Sequence, residues 1–292
     1  MRVFINRHGE LRAGWATASA IAVMIAAQLI ARPLSELGDE NNPSFKLGVT
    51  LVYGIIAVAG ILLLFRLLYK RGFRELGMVP EKGLPAFLRG LAGGAVSVAV
   101  ILAFLVVIDQ AAIINTDVDK LISLSVAAEF VSVCVFMFSE ELLARGFFMT
   151  AMKTTRNKWA ILFVPAAIFA LLHLMNDGVT VLSIINTLIA GTLLGYMFMK
   201  SGALWLSTGF HIAWNFFMGD IFGLGTSGTA NTHSVLTTQL GTNTLLTGSY
   251  GPEDSVLCAL VLLLACLAVQ LFIKNPNHPA WTLESGLPLT RG

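Results

Sequence analysis

The sequence predicts an all-α, polytopic integral membrane protein with about eight transmembrane helices and both termini in the cytoplasm. Three observations lead to this prediction. Charged residues make up only 12% of the chain and hydrophobic residues 56%, whereas a soluble domain carries about 25% charged residues. The apolar residues form runs close to the roughly 20 residues that cross a bilayer. Most Lys and Arg residues fall on one side of these runs.

Eight apolar runs are predicted to span the membrane. They are Ala13–Ala31, Leu47–Tyr69, Phe87–Ile108, Leu121–Met152, Trp159–Leu174, Val179–Met199, Ala203–Met218 and Val256–Ile273. The first is longer than the apolar part of a signal peptide, so we expect it to be retained. The fourth is longer than a span needs, the fifth is interrupted by Pro165, and the seventh is short.

The distribution of charge gives the orientation. With a cytoplasmic N-terminus, fifteen of the nineteen Lys and Arg residues lie in cytoplasmic segments, and only Arg32, Lys46 and Lys120 lie outside. This agrees with the excess of positive charge in cytoplasmic loops of membrane proteins. The net charge of +2 is too small to indicate a nucleic-acid partner. The Gly- and Thr-rich loop at 220–254 is predicted to lie outside, and the sequence assigns no role to it.

Three ionisable residues lie close together inside the fourth run. Each of Glu140, Glu141 and Arg145 costs roughly 2.5–3.5 kcal/mol at the centre of a bilayer, so such a cluster indicates function. Glu141 and Arg145 are four residues apart, share a helix face and are predicted to pair. Glu140 points elsewhere and has no local partner.

Other polar residues lie at a matching depth on two further predicted spans. They are His173 on the fifth, and His211 and Asn215 on one face of the seventh. Together with Glu140 they lie 10–15 residues from the predicted cytoplasmic ends, which is about 15–23 Å of helix. We therefore expect the four side chains to converge near the middle of the membrane.

Convergence of these groups favours hydrolysis. A carboxylate removed from water, here Glu140, can act as the general base for a water molecule, and His173 can orient that water. His211 and Asn215 offer N–H donors to a developing oxyanion. The pair of Glu141 and Arg145 is then structural. The alternative is that these polar groups have no catalytic role and only form hydrogen bonds between helices.

The motifs resemble those of the CPBP family, which comprises type II CAAX-prenyl endopeptidases and bacteriocin-processing or immunity proteins. The motif residues, in chain order, are Glu140, Glu141, Arg145, Phe169, His173, His211 and Asn215. The resemblance extends from about Glu129 to Asp254. It implies an intramembrane endopeptidase that cleaves a membrane-embedded or lipid-anchored (CAAX-like) peptide or protein.

The resemblance also implies roles and leaves one cofactor open. Glu140 and His173 would activate water, His211 and Asn215 would stabilise the oxyanion, and Glu141, Arg145 and Phe169 would support the site. Zinc held by Glu140, His173 and His211 is possible, but Asn215 is a poor zinc ligand, so a mechanism without a cofactor is favoured. On this reading residues 1–120 are N-terminal transmembrane helices, 121–273 the catalytic helical core, and 274–292 a cytoplasmic tail.

Two other functions remain open at this point. A catalytically silent immunity or binding protein would share the scaffold. A proton-coupled carrier would use the buried Glu and His as a relay, although no internal repeat is evident in the sequence. We expect the protein to be surrounded by membrane lipid, and to lie in the plasma membrane if the source is bacterial.

Overall fold

The helices of the structure, a computed structural model that describes residues 3–5, 11–39, 42–229, 234–248 and 250–273, follow the apolar runs of the sequence. The helices are α1 Ala13–Ser35, α2 Pro43–Tyr69, α3 Gly83–Val107, α4 Leu124–Glu141, α5 Met149–Met152, α6 Lys158–Leu172, α7 Val181–Ser201, α8 Trp205–Asn215 and α9 Val256–Phe272. The all-α, polytopic prediction is confirmed. The predicted tail at 274–292 lies outside the described residues.

Five helical segments in the described part of the chain are long and apolar enough to cross a membrane. They are Ala13–Ser35, Pro43–Tyr69, Phe73–Val107, Lys158–Met175 and Val181–Ser201. The apolar helix α9 is shorter than these, and its 17 residues extend about 26 Å. The fourth and seventh predicted spans, which carry Glu140 and His211, each change their helical geometry along their length.

Both of these spans contain a π-helical segment that the sequence analysis did not predict. After α4, the chain continues as a π-helix over Leu142–Phe148 before α5. After α8, a π-helix covers Phe216–Ile221. Such segments are rare and occur frequently at functional sites. In contrast, the predicted interruption at Pro165 is wrong, since α6 continues through this residue.

Polar caps set the starts of several helices. Asn42 Oδ1 accepts hydrogen bonds from the backbone N–H groups of Ser44 and Phe45 at the start of α2. Asn157 caps α6 in the same manner, and Thr180 forms a capping box at α7. Each cap satisfies N–H groups that have no partner inside the helix. The short polar stretches between apolar runs therefore fix where the spans begin.

Helix α3 packs against α8 with the backbones in direct contact. A Cβ atom added to Gly90 would lie 2.2 Å from Leu206 O, and one on Gly94 would lie 2.4 Å from Phe210 O. On the facing helix, a Cβ atom on Gly209 would lie 2.2 Å from Phe87 O. Small residues permit this approach. The contact holds the helix that carries His211 and Asn215.

One small sheet joins two of the loops that connect the helices. Strand β1 (Ala111–Thr116) pairs antiparallel with β2 (Leu236–Leu240). β1 precedes α4 in the chain, and β2 lies in the long loop between α8 and α9. The sheet therefore attaches the loop at 220–254, which the sequence left without a role, to the connection that leads into α4.

We expect Gly90→Ala to force α3 and α8 apart, because its methyl group would meet a backbone oxygen that cannot rotate away. Overpacking of this kind costs about 1–3 kcal/mol. A fall in the thermal unfolding midpoint in detergent would report it. The matched control is Gly93→Ala on the same helix, whose Cβ would lie 3.5 Å from Phe210 Cδ2, an ordinary contact. Equal midpoints for the two variants would contradict the expectation.

Candidate active site

A fully buried ion pair lies at the junction of α4 and its π-helical continuation. Arg145 Nη1 donates to Glu141 Oε1 at 2.8 Å, and the two side chains are 2% and 0% exposed. Arg145 Nη2 also donates to Gly191 O on α7 at 3.2 Å. The guanidinium carbon lies 4.5 Å from the centre of the Phe169 ring on α6. Arg145 thereby connects three helices.

Glu141 has a second partner that local spacing does not reveal. His211 Nδ1 lies 3.0 Å from Glu141 Oε1, the oxygen that also accepts from Arg145. A carboxylate paired with a guanidinium can only accept hydrogen bonds, so we assign the proton on this side of the ring to Nδ1. The other ring nitrogen, Nε2, then faces Glu140. Glu141 is therefore shared between Arg145 and His211, whereas the sequence predicted a partner in Arg145 alone.

Glu140 lies on the accessible side of the site. Its side chain is 29% exposed, in contrast to the buried Glu141. Glu140 Oε2 lies 3.9 Å from His211 Nε2, which is too long for a direct hydrogen bond. A single water molecule can bridge two polar atoms at this separation. The geometry therefore leaves room for a water between a carboxylate and an imidazole.

The other two predicted residues have one polar group engaged and another available. His173 Nδ1 lies 2.8 Å from the carbonyl oxygen of Phe169, which can only accept, so Nδ1 carries the proton and Nε2 can accept. Asn215 Nδ2 donates to His211 O at 3.1 Å. An amide nitrogen carries two hydrogens, so one remains for another acceptor. Phe169 packs between the two imidazoles, with ring-centre distances of 4.6 Å to His173 and 6.0 Å to His211.

All four candidate residues line one cavity of about 610 Å³. Glu140 comes from α4, His173 from the end of α6, and His211 and Asn215 from α8. The four residues predicted to converge thus do so. Glu141 and Arg145 lie behind this surface, where they contact His211 and Phe169.

Among the residues that the structure describes, no three side chains of His, Cys, Asp or Glu are grouped as metal ligands. The alternative zinc ligands named from the sequence were Glu140, His173 and His211. Both histidines use Nδ1 in hydrogen bonds and keep Nε2 available, and Glu140 Oε2 lies 3.9 Å from His211 Nε2. Asn215, the fourth residue of the set, is a poor zinc ligand.

The loop at 220–254 supplies one wall of the cavity, a role that was not predicted from the sequence. Thr226, Ser227 and Thr229 line the cavity. Glu253 holds them in place, because its carboxylate accepts hydrogen bonds from Trp214 Nε1 at 2.8 Å and from the Ser227 backbone. A glutamate near the outer end of a span looks like any acidic loop residue, so only the folded chain reveals this contact.

Two asparagines anchor the same loop. Asn176 Nδ2 donates to the Tyr250 hydroxyl at 2.9 Å and to Ser227 O at 3.1 Å. Asn186 Nδ2 donates to the backbone oxygens of Glu253 and Ser255, each at 2.8 Å. Burial raises the pKa of the Tyr250 hydroxyl, and the nearby Glu253 carboxylate raises it further. The loop is thus fixed to α7 and to the segment that follows α6.

Comparison with known protein families gives one match. A family model described as "Type II CAAX prenyl endopeptidase Rce1-like" matches residues 122–217, about a third of the chain. No curated protein and no solved structure matches the chain. The matched region contains Glu140, His173, His211 and Asn215, and it ends before the loop wall formed around Glu253.

We expect Arg145→Met to destabilise the protein strongly, because it leaves the Glu141 carboxylate buried without its cation. Removing one partner of a buried pair costs about 3–5 kcal/mol. The double variant Glu141→Gln/Arg145→Met removes both charges and should recover part of this loss. Thermal unfolding in detergent measures both effects.

The matched control is Arg74→Met. Arg74 pairs with Glu81 at an exposed position, where an ion pair contributes about 0–1 kcal/mol. A loss of stability for Arg145→Met no larger than that for Arg74→Met would contradict the structural role of the buried pair.

Proposed function

We propose that the chain, whose residues 122–217 match the family of Rce1-like type II CAAX prenyl endopeptidases, hydrolyses a peptide bond in a membrane-anchored substrate with a water molecule activated by Glu140. The observation that carries the proposal is the common cavity of Glu140, His173, His211 and Asn215. These side chains come from three separate helices. Apolar residues such as Leu143, Phe148 and Phe169 line the cavity beside them.

Glu140 acts as the general base. A water held between Glu140 Oε2 and His211 Nε2 transfers a proton to the carboxylate while its oxygen attacks the carbonyl carbon of the substrate. His173 Nε2 accepts the second hydrogen of this water and orients the lone pair of the oxygen. General-base catalysis by a positioned side chain contributes typically 10²–10⁴-fold to the rate.

Asn215 and His211 stabilise the tetrahedral intermediate. The free N–H of the Asn215 amide donates to the oxyanion. His211 can donate from Nε2 only if both ring nitrogens carry protons, so the mechanism requires the imidazolium from the start, and its Nε2–H first donates to the attacking water and then to the oxyanion. Donors fixed in a site with little water stabilise a developing charge without having to reorganise. Glu140 then returns its proton to the leaving nitrogen, and the bond between carbon and nitrogen breaks.

Glu141 and Arg145 position His211. The hydrogen bond from Nδ1 to Glu141 fixes the ring orientation, and the pair with Arg145 keeps Glu141 ionised as an acceptor. This arrangement explains why two adjacent glutamates are needed. Glu141 supports the site from its buried side, and Glu140 meets the water.

We propose that the reaction needs no metal, because a glutamate base uses all four residues of the site, whereas Asn215 is a poor zinc ligand. The substrate class is a membrane-embedded or lipidated peptide. In a catalytically silent immunity protein on the same scaffold, or in a proton-coupled carrier, the base and the two donors that line this cavity would have no role in hydrolysis.

Replacement of Glu140 tests the mechanism. We expect Glu140→Gln to lower kcat for cleavage of a farnesylated CAAX peptide or a single-span membrane peptide by about 10²–10⁴-fold. Asn215→Ala should lower it by about 10²–10³-fold, because one oxyanion donor is lost. Mass spectrometry of the products of purified protein in detergent or vesicles measures both. The control is Glu81→Gln, an exposed glutamate outside the cavity, which should cleave like the unmodified protein. Cleavage by Glu140→Gln at the unmodified rate would exclude Glu140 as the base.

Treatment with a chelator tests the cofactor. We expect dialysis against 1,10-phenanthroline or EDTA to leave cleavage unchanged, and elemental analysis of the purified protein to find less than one zinc per ten chains. Loss of activity that stoichiometric zinc restores would contradict the metal-free mechanism and would support the alternative ligand set.

A further inference from the structure

We propose that the catalytic cavity opens to the outer, non-cytoplasmic face of the membrane, and that its substrate is a membrane-anchored polypeptide whose cleaved segment lies on that side. The inference rests on the proposed function for its substrate, but the direction of access rests on geometry and charge alone. Four features of the structure support it.

The mouth of the cavity lies at the end of the bundle where α1 finishes and α2 and α4 begin. Gln28, Lys46 and Glu129 line it there, and Lys46 Nζ contacts Glu129 Oε1 at 2.6 Å. The loop residues Thr226 and Thr229 complete the polar rim. Glu129 therefore belongs to the rim of the site, eleven residues before Glu140 in the chain.

The opposite end of the bundle is closed by a packed apolar core. Leu76, in the connection between α2 and α3, is fully buried beneath Gly146, where an added Cβ would lie 3.2 Å from Leu76 O. Backbone and side-chain hydrogen bonds fix this connection, among them Leu204 N to Gly77 O at 3.0 Å and Trp205 Nε1 to Val79 O at 2.8 Å. The other fully buried residues of this core that separate the site from that end are Phe65, Leu142, Phe148, Phe198 and Leu204.

The closed end is the basic end. Its described Lys and Arg residues include Arg66, Lys70, Arg71, Arg74, Lys82, Lys153, Lys158 and Lys200. The open end has fewer, and Lys46 there is paired with Glu129. Lys and Arg collect on the cytoplasmic side of membrane proteins. The closed end is therefore cytoplasmic, and the mouth faces outward.

A lateral wall of the cavity indicates how the substrate is anchored. Ile25 and Leu29 of α1 and Leu172 of α6 line the cavity, and all three are exposed on the surface of the bundle. Apolar side chains at this depth face lipid. A substrate can therefore keep its hydrophobic anchor in the bilayer while its polar chain enters through the rim.

Cysteine labelling tests the direction of access. The matched variants are Thr229→Cys at the rim and Thr155→Cys at the closed end, since both threonines are exposed. In intact cells, we expect a membrane-impermeant maleimide to label Thr229→Cys, and to label Thr155→Cys only after permeabilisation. The unmodified chain, whose Cys134, Cys258 and Cys266 lie in helices, sets the background, and denatured protein confirms that both new thiols react. Labelling of Thr155→Cys in intact cells, or failure of Thr229→Cys to react there, would overturn the proposal.

A second measurement separates access from catalysis. A bulky maleimide on Thr229→Cys should reduce cleavage of a membrane peptide at least tenfold, whereas the same adduct on Thr155→Cys should leave it unchanged. If Glu140→Gln abolishes cleavage but the Thr229→Cys adduct does not reduce it, access from the outer face is wrong and the proposed function holds. If Glu140→Gln cleaves normally, the proposed function fails, and the labelling pattern still decides the orientation.

Discussion

The contact between Glu141, Arg145 and His211 is the constraint on which the site depends. A single oxygen, Glu141 Oε1, accepts from Arg145 at 2.8 Å and lies 3.0 Å from His211 Nδ1. In a membrane-embedded core such charges are costly unless each is paired and hydrogen-bonded. Arg145 also contacts α6 and α7, and His211 is on α8. The contacts that begin at this one oxygen therefore bring four helices to fixed positions around the cavity.

The two adjacent glutamates acquire different tasks because the helix turns between them. One faces the interior of the protein and the other faces the cavity. Their exposed fractions, 0% for Glu141 and 29% for Glu140, express this difference. A helix with a polar group on only one face could hold an imidazole or activate water. The adjacent pair permits both within one turn, next to a π-helical segment that begins at Leu142.

Much of the architecture could be predicted because hydropathy and cap residues act locally. The runs around α2 and α7 needed only their apolar length, and the pairing of Glu141 with Arg145 needed only helical spacing. The π-helices carry no comparable signal, since their residues are those of an ordinary apolar helix. The link from Glu141 to His211 and the role of Glu253 depend on segments that are 70 and about 40 residues distant in sequence. Such contacts follow from packing, which a single sequence does not display.

The close contact of α3 with α8 has a consequence for motion. Backbone atoms meet there without intervening side chains, so the two helices cannot slide or tilt without breaking many contacts together. Helix α1 lies beside the cavity, and its buried residues are small, namely Ala13, Ala16, Thr17, Ala20, Ala27 and Ala31. Larger side chains of α1, among them Val23 and Met24, pack partly buried against the core. The bundle thus has a stiff half that carries His211 and Asn215, so the entrance can widen only through displacement of helices outside the pair of α3 and α8, such as α1.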